Sequence, residues 1–513
     1  MDLDPTTSIP AFYAGRSIFI TGGTGFMGKV LIEKLLRSCP AVEEIFLLMR
    51  PKKNSTIDAR LKEMLTSPLY DKLKKANPSA FKKLIPVAGD VAEEGLGLPP
   101  VERRVLIEKV SIVFHVAANV RFDDPLKHAV LMNTRGTREV CILAASMKKL
   151  VVLLHVSTTY GNTDRPVIEE VLYPAHTDWK KAIKIVENTD ENILNIMTPK
   201  FLGKLPNTYT FTKQLAEHVI NEYAGIIPCV IFRPSVVVAT LEEPMPGWMD
   251  NFNGPVGLMI GGGKGVLKSV YGKPDLVVDF IPVDVAIKSL LVSAWQRGIT
   301  PITRDPSVPV YNCSSNGIRA LTTKDMINLA LETVAEIPLE GCIWVPNTTM
   351  YSNIFIYYLT VWIFHVIPAV IIDTVLKISG AKPRLLRLHR KIYTANFALT
   401  HFLKEKFTFE HAKLLGLNDM VPELDRADFN VDIGKFGIKD YFRECLIGGK
   451  MYLLKEDMNK VAEAKAHYDK MWWIDRVLRV WLAIFITWLG FTCGIFAYIS
   501  TSVISLFDFS LVA

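Results

Sequence analysis

The stretch that decides the fold is Ser17–Gly28, which reads SIFITGGTGFMG. A short apolar run leads directly into a loop with glycines at positions 22, 25 and 28, and an amphipathic helical pattern follows. This order predicts the strand, turn and helix that begin a dinucleotide-binding βαβ unit. In such a unit Gly22 permits the tight turn, Gly25 lets the backbone approach the pyrophosphate, and Gly28 lets helix and strand pack closely.

The cofactor that these residues predict is NADPH. The loop contributes eight cofactor-binding residues, namely Thr21, Gly22, Gly23, Thr24, Gly25, Phe26, Met27 and Gly28. An NAD site carries an acid about 20 residues further on, for the ribose hydroxyl. Here the chain reads MRPKK at 49–53, and no acid occurs from Ile45 to Ile57. Arg50 can bind a 2′-phosphate through two hydrogen bonds, with Lys52 or Lys53 adding positive charge.

Apolar runs alternate with helical patterns through the first part of the chain. The runs that predict strands lie at 17–21, 45–49, 84–87, 110–116, 150–156 and 229–232. Helical patterns lie between them, as at 29–37 and 133–147. This alternation predicts the α/β class, with a Rossmann-type doubly wound parallel sheet covered by helices on both faces.

Composition narrows the class of protein further. Half of the 513 residues are hydrophobic and 22% are charged, which excludes intrinsic disorder. The net charge of +7 is spread over a long chain, so we expect no nucleic-acid partner. The seven cysteines have neither CxxC pairs nor metal-ligand spacing, so we expect neither a disulfide framework nor a metal site. The N-terminus, MDLDPTTSIP, predicts a chain that starts in the cytosol without a cleaved signal.

Two long segments contain no Asp, Glu, Lys or Arg, namely 341–372 and 480–507. Because about 20 apolar residues suffice to cross a bilayer, we predict a transmembrane helix at 480–507. The basic residues before it place the bulk of the protein in the cytosol. A second span would put the basic cluster at 377–391 on the wrong side. We therefore expect the most apolar part of the first segment, 354–372, to lie in the membrane plane, to re-enter it or to line a lipid site, with an ordinary core helix as the alternative.

A second group of residues predicts oxidoreductase chemistry. Tyr209 and Lys213 stand four residues apart and so share one face of a helix. A neighbouring cation favours the phenolate, so we expect Lys213 to lower the tyrosine pKa and also to bind the nicotinamide ribose. The predicted strand 150–156 ends in Ser157 and Thr158, and either hydroxyl can hydrogen-bond a substrate carbonyl as it gains negative charge. Of the two we favour Thr158.

Together these residues resemble the extended short-chain dehydrogenase/reductases, and more narrowly the alcohol-forming fatty acyl-CoA reductases of the animal type. The narrower resemblance is carried by GDVAEEGLGL (89–98), FHVAANVRFDDPL (114–126), HVSTTYGN (155–162), GKLPNTYTFTKQLAEH (203–218), FRPSVV (232–237) and DFIPVDVA (279–286). A second resemblance, to the C-terminal domain of that family, covers about residues 355–455 and ends in FNVDIGKFGIKDYFRECLIGGKMYLLKED (429–457).

The resemblance implies an activity and further site residues. Long-chain acyl-CoA would be reduced by two NADPH to a primary alcohol and CoA, through an aldehyde or hemithioacetal, with Tyr209 supplying the proton. The alcohol would serve lipid metabolism as a precursor of wax, ether lipid, cuticle or pheromone. Further cofactor contacts would come from three pairs of residues. Asp90 and Val91 would flank the adenine, Ala117 and Asn119 would lie at the ribose and phosphates, and Pro234 and Ser235 would contact the nicotinamide end.

The implied organisation has four parts. They are an N-terminal lead at 1–15, an NADP-binding reductase domain at 16–340, a mainly helical fatty acyl-CoA reductase domain at 341–470, and the transmembrane helix at 480–507. The implied partners are the acyl-CoA and the lipid bilayer of the endoplasmic reticulum or peroxisome, and a homodimer is allowed. The alternatives are a membrane-bound hydroxysteroid or other lipid dehydrogenase of the same superfamily, and a catalytically silent cofactor-sensing scaffold.

Overall fold

The computed structural model describes residues 4–51, 55–301, 307–434 and 436–493. Lys52 and Lys53, which were predicted to bind the cofactor phosphate, lie outside the described residues. The larger part of the predicted transmembrane helix, from residue 494 onwards, lies outside them as well.

The strands within the described residues are β1 (Ser17–Thr21), β2 (Ile45–Met49), β3 (Leu84–Ala88), β4 (Val110–His115), β5 (Val152–Val156), β6 (Val167–Ile168), β7 (Cys229–Pro234), β8 (Val236–Val238), β9 (Ser269–Tyr271), β10 (Phe280–Pro282), β11 (Val310–Cys313), β12 (Thr349–Tyr351) and β13 (Thr408–Phe409).

The α-helices are α1 (Ile9–Tyr13), α2 (Phe26–Ser38), α3 (Ile57–Leu65), α4 (Asp71–Ala76), α5 (Pro100–Lys109), α6 (Leu126–Ala129), α7 (Gly136–Ala145), α8 (Trp179–Asn188), α9 (Glu191–Leu202), α10 (Thr208–Tyr223), α11 (Pro255–Gly263), α12 (Val283–Ile299), α13 (Thr323–Glu336), α14 (Ile354–Val361), α15 (Ile367–Ile378), α16 (Leu385–Lys404), α17 (Ala412–Met420), α18 (Arg426–Phe429), α19 (Ile438–Gly448) and α20 (Val461–Thr492). Short π-helical segments lie at Val130–Arg135, Trp362–Val366 and Gly449–Leu453.

The central sheet is parallel and runs in the order β11-β7-β5-β4-β1-β2-β3. The chain builds outward from β1 through β2 and β3 on one side, and then from β4 through β5, β7 and β11 on the other. The order reverses between β1 and β4, and in sheets of this kind ligands bind at that point, outside the carboxyl ends of the strands. The predicted doubly wound parallel sheet is therefore confirmed.

Helices cover both faces of the sheet, and the side chains of β1 illustrate this. Its alternate side chains Ile18 and Ile20 pack into the cluster that contains residues of α2 and α12. Phe19, which points to the opposite face, packs with residues of α7 and α10. Because both faces are buried, every residue of β1 is apolar or hydrogen-bonded, which explains the unbroken apolar run in the sequence.

The region after residue 340 is mainly helical and packs closely on the sheet. Leu414 and Leu417 of α17 and Phe429 of α18 lie in the same apolar cluster as α2 and α12. Glu170, buried beyond β6, accepts hydrogen bonds from the backbone N–H groups of Asn312 and Leu414, at 3.0 and 3.1 Å. The C-terminal region therefore shares its core with the first 340 residues, and a domain boundary at 340 stays a prediction.

The apolar segment forms one continuous helix, Ile354–Ile378, through α14, a π-helical turn and α15. Among the described residues it is the helix long and apolar enough to cross a membrane, by length and composition. Phe355, Ile371 and Ile378 are exposed, so this is not the ordinary core helix considered as an alternative. His365 turns inward, and its Nε2 accepts hydrogen bonds from the backbone N–H groups of Lys268 and Ser269.

A buried ion pair joins α10 to the sheet. The Arg233 guanidinium at the end of β7 donates to both carboxylate oxygens of Glu217 on α10, each at 2.7 Å. Neither side chain is exposed by more than 1%. Arg233 also donates to the carbonyl oxygens of Glu169 and Val171, so four of its five N–H groups have a protein partner. A buried charge that loses its partner is costly, and this pair therefore holds α10 in one position.

We expect Arg233→Met to lower the free energy of unfolding by about 3–5 kcal/mol, because Glu217 would be left buried and unpaired. Urea unfolding followed by tryptophan fluorescence measures the change. The double variant Arg233→Met/Glu217→Leu should recover most of it, and Lys109→Met, which breaks an exposed pair with Glu44, should leave the midpoint near that of the unchanged protein. Equal midpoints for Arg233→Met and Lys109→Met would contradict the prediction.

Candidate active site

The glycine loop between β1 and α2 is tight at two points. Gly22 has φ +77°, and an added Cβ would lie 2.6 Å from the backbone nitrogen of Ala117. An added Cβ at Gly28 would lie 2.2 Å from the carbonyl oxygen of Gly22. A larger side chain at either position would force the loop away from β4 or the helix away from β1, so the roles predicted for these two glycines agree with the packing.

The loop fits the phosphates of a dinucleotide. Gly25 is the N-cap of α2 and provides no side chain to cap the first N–H groups of that helix. Uncapped N–H groups and the positive end of the helix dipole attract an anion. They lie at the carboxyl end of β1, beside the point where the strand order reverses. Of the other residues predicted to bind the cofactor here, Gly23 and Thr24 lie in the same turn, Thr21 ends β1, and Phe26 and Met27 begin α2.

The other residues assigned to the cofactor follow the carboxyl ends of neighbouring strands. Arg50 follows β2 and is exposed, with its guanidinium 3.6 Å from the Asp90 carboxylate that follows β3. Val91, next to Asp90, is buried. Ala117 and Asn119 follow β4. The fold therefore brings all of these residues to one edge of the sheet.

Pro234 and Ser235 complete that edge at the end of β7. The backbone N–H of Ser235 donates to the carbonyl oxygen of Cys313 at 2.9 Å, which fixes the end of the strand. The Ser235 hydroxyl oxygen is buried and has no hydrogen-bond partner among the described residues. Buried polar groups are almost always satisfied, so this hydroxyl is suited to a polar ligand group.

The predicted tyrosine and lysine lie on α10, one turn apart. Asn207 caps the helix by accepting from the backbone N–H of Thr210 at 2.9 Å. Tyr209 lies in the first turn and is partly exposed, and its hydroxyl faces the Thr158 side chain. Lys213 is buried, and its ammonium donates to the carbonyl oxygen of Val156, the last residue of β5, at 2.7 Å.

Burial sets the ionisation of both groups. It raises the pKa of Tyr209 to about 12, against the opposing effect of the hydrogen bond with Thr158. It lowers the pKa of Lys213 to about 8, against the opposing charge of Glu217. Burial is the largest influence on the Tyr209 pKa, and the expectation that Lys213 lowers this pKa stays a prediction.

The two hydroxyls at the end of β5 point to different partners. Ser157 donates to Glu217 at 2.6 Å and so belongs to the buried ion pair with Arg233. Thr158 faces Tyr209, and its oxygen accepts from the backbone N–H of Tyr160 at 3.2 Å. Consecutive residues of an extended chain point in opposite directions, which explains the division. The geometry therefore brings Thr158, and not Ser157, to the candidate catalytic tyrosine.

One residue of the site was missed by the sequence reasoning. Asn133 is buried in the π-helical segment that precedes α7. Its amide oxygen accepts from the backbone N–H of Asn119 at 2.8 Å, and its amide nitrogen donates to the Thr212 hydroxyl at 2.9 Å. Asn133 thereby joins the loop after β4 to the catalytic helix. The available signal was an amide side chain inside an otherwise amphipathic helical stretch.

Two solved reductase domains share the fold. The reductase domain of a nonribosomal peptide synthetase from Mycobacterium tuberculosis matches with a TM-score of 0.58 and 18% identity, over 88% of this chain and 97% of that chain. The terminal R domain of the myxalamid biosynthetic pathway matches with a TM-score of 0.55 and 18% identity, over 85% of this chain and 91% of that chain. At this identity the likeness establishes the fold alone.

Sequence comparisons identify the family. Models described as "Male sterility protein" match residues 20–290 and 364–456. Fatty acyl-CoA reductase 1 of Xenopus laevis is 38% identical over 464 residues, 90% of each chain. Fatty acyl-CoA reductase 1 of Homo sapiens is 36% identical over 466 residues, again 90% of each chain. With the dinucleotide loop, the Tyr209–Lys213 pair and the C-terminal region all inside these matches, the chain belongs to the fatty acyl-CoA reductase family.

Proposed function

We propose that the protein reduces long-chain fatty acyl-CoA to the primary alcohol and CoA, with NADPH as the reductant. The observation that carries the proposal is the placement of the Tyr209 phenol beside the Thr158 side chain, one helical turn from the buried Lys213 ammonium, which is held by the last carbonyl oxygen of β5. This group lies at the same edge of the parallel sheet as the glycine loop. The names of relatives 36–38% identical to the chain support acyl-CoA as the substrate.

The protein's own groups handle the oxygen of the reacting carbonyl. Bound NADPH supplies hydride to the carbon, and negative charge then grows on the oxygen. Tyr209 stays protonated at neutral pH because burial raises its pKa, so it can give its proton to that oxygen. Thr158 can donate a hydrogen bond to the same oxygen, since its own oxygen already accepts from Tyr160. The Lys213 charge stabilises the phenolate that remains.

Two rounds of this chemistry lead from thioester to alcohol. In the first, hydride would add to the thioester carbon, the carbon–sulfur bond would break, and CoA would leave as the thiol with a proton supplied by Tyr209 and replaced from solvent, so that an aldehyde would remain. In the second, hydride adds to the aldehyde carbon and Tyr209 protonates the oxygen. Two molecules of NADPH are oxidised for each alcohol formed.

The preference for NADPH rests on Arg50. Its exposed guanidinium lies at the carboxyl end of β2, where the ribose of a dinucleotide is held in this fold. The Asp90 carboxylate 3.6 Å away orients the guanidinium. A planar guanidinium can hold the 2′-phosphate of NADPH through two parallel hydrogen bonds. NADH has no phosphate at that position.

We further propose that the protein is anchored to a membrane by the segment 480–507 and faces the cytosol. The described start of that segment lies on α20, where Trp481, Ile484 and Phe485 are exposed. Arg476 and Arg479 precede it, as expected for a cytosolic flank. The exposed apolar side chains of Ile354–Ile378 support a second contact with the same bilayer.

Product analysis tests the proposed function. Membranes that contain the full chain should convert long-chain acyl-CoA to fatty alcohol with NADPH, and much more slowly with NADH. Tyr209→Phe should lower the rate by about 10²–10⁴-fold, because the proton donor is lost while the shape is kept. Acyl-CoA left unchanged while hydroxysteroids are oxidised would instead assign the chain to the alternative dehydrogenases.

The two hydroxyls at the end of β5 provide a matched pair of variants for the same assay. Thr158→Val should lower kcat by about 10²–10³-fold, as expected when a hydrogen-bond donor to the developing oxyanion is removed. Ser157→Ala should keep kcat within a few-fold and lower the unfolding midpoint, because Glu217 loses a hydrogen bond. The reverse pattern would make Ser157 the substrate donor.

The rate should depend on pH through Lys213. Its pKa is lowered to about 8, so the positive charge is present below that pH and is lost as the pH rises through it. We expect kcat/KM for acyl-CoA reduction to be level near neutrality and to fall about tenfold per pH unit above about 8. The melting temperature at each pH controls for unfolding. A rate that stays level to about pH 10 would contradict the role of the lysine charge.

Alkaline carbonate extraction tests the membrane anchor. The full chain should stay with the membrane pellet, because a spanning helix is not removed by high pH or salt. A variant that ends at residue 479 should be released by carbonate. If the shortened chain stays in the pellet, the helix Ile354–Ile378 is embedded by itself, and the C-terminal segment is not the anchor.

A further inference from the structure

Three aromatic side chains stand beside the candidate catalytic tyrosine, and we refer to Phe122, Tyr160 and Phe402 as the aromatic wall. The ring of Phe122 is 5.6 Å from that of Tyr209 and 5.4 Å from that of Phe402, between centroids. Phe402 in turn meets Tyr160 edge-on at 5.3 Å. All three wall residues are partly exposed, as Tyr209 is. Tyr160 also packs against the buried side chains of Ile168, Tyr173 and Phe409, so the wall borders that small core.

The wall is assembled from distant parts of the chain. Phe122 lies in the loop after β4, Tyr160 just beyond β5, and Phe402 at the end of α16 in the C-terminal region. The rings of the three take no part in the hydrogen bonds of Thr158 and Lys213, although the backbone N–H of Tyr160 donates to Thr158. The wall therefore requires an explanation beyond the positioning of those groups.

The position of Phe402 is held from both sides. The Asn396 amide oxygen on α16 accepts from the backbone N–H of Tyr271 at 3.0 Å. The carbonyl oxygen of Leu403 accepts from the N–H of Lys273 at 2.8 Å. Beyond the helix, β13 pairs with β6, with the N–H of Thr408 donating to the carbonyl oxygen of Pro166 at 2.8 Å. These contacts hold the Phe402 ring against Phe122, which in turn contacts Tyr209.

The proposed reaction requires the aldehyde intermediate to stay bound while the cofactor is exchanged. Each alcohol needs two molecules of NADPH, and the oxidised cofactor must be replaced between the two hydride transfers. During that exchange the aldehyde has already lost CoA, so the contacts to the CoA part no longer hold it. Apart from the hydrogen bonds to its carbonyl oxygen, the aldehyde is then held only by contacts between the protein and the apolar chain. An apolar surface beside Tyr209 would provide them and would also keep water from the carbonyl.

We infer that the aromatic wall holds the fatty aldehyde beside Tyr209 while the cofactor is exchanged, so that the alcohol is the product released. The inference rests on the proposed function and adds a role for the C-terminal region, which supplies Phe402. Aromatic rings suit the task, because they bury a large apolar area with few rotatable bonds. Phe122 and Phe402 pack on each other, so removal of either ring should loosen the contact.

The test is the ratio of aldehyde to alcohol made from a long-chain acyl-CoA with NADPH, with released aldehyde captured by a hydrazine. We expect Phe402→Ala and Phe122→Ala each to raise this ratio about tenfold, the factor that corresponds to about 1.4 kcal/mol of lost contact. Consumption of acyl-CoA should fall much less. Phe402→Leu keeps an apolar side chain and should form nearly as much alcohol as the unchanged protein. This variant shows whether the effect of Phe402→Ala comes from the lost ring contact or from misfolding.

Phe397→Ala is the matched control. Phe397 lies on the same helix but packs against Tyr271 and Tyr357, away from Tyr209. The aldehyde-to-alcohol ratio of Phe397→Ala should equal that of the unchanged protein. If this ratio rose as much as in Phe402→Ala, the effect would come from a loosened helix, and the inference would be overturned. An unchanged ratio in both Phe402→Ala and Phe122→Ala would overturn it with the proposed function intact. Failure of the unchanged protein to form alcohol would overturn both.

Discussion

The anchoring of α10 on the end of β5 is the constraint on which the rest of the site depends. The Lys213 ammonium donates to the last carbonyl oxygen of β5, and the buried Glu217 carboxylate, one turn further, binds Ser157 and Arg233. Polar groups buried in this way tolerate few arrangements, because any shift leaves a charge or donor unsatisfied. Tyr209 and Thr158 meet because these three contacts leave the helix one place to lie.

The same constraint extends to the cofactor side of the site. Asn133 binds the backbone after β4 with one end of its amide and Thr212 on α10 with the other. A little deeper, the His115 ring joins Thr21 at the end of β1 to Thr137 on α7. The loops that surround the cofactor crevice are thus linked to the catalytic helix through buried side chains, and the two halves of the site are held in a fixed relation.

The C-terminal region contributes to the site and is not simply an appendage. Its helices share an apolar core with α2 and α12. Glu170 accepts hydrogen bonds from the backbone N–H of Asn312, in the sheet, and from that of Leu414, in the C-terminal region. One consequence is that Phe402 reaches the surroundings of Tyr209. Another is that α16 leads from there back to α15, and so connects the site with the exposed apolar helix Ile354–Ile378.

The sequence by itself determined the parallel sheet, the glycine loop and the helix that carries Tyr209 and Lys213. Each is a local pattern: strand, turn and helix are set by residues within a few positions of one another, and the spacing of four places both side chains on one face. Only the tertiary structure placed Thr158 toward Tyr209 and Ser157 toward Glu217, joined Asn133 to α10, and brought Phe402 to Phe122. These depend on where α10 and α16 pack, and that is set by buried contacts between residues far apart in the chain, which no local pattern records.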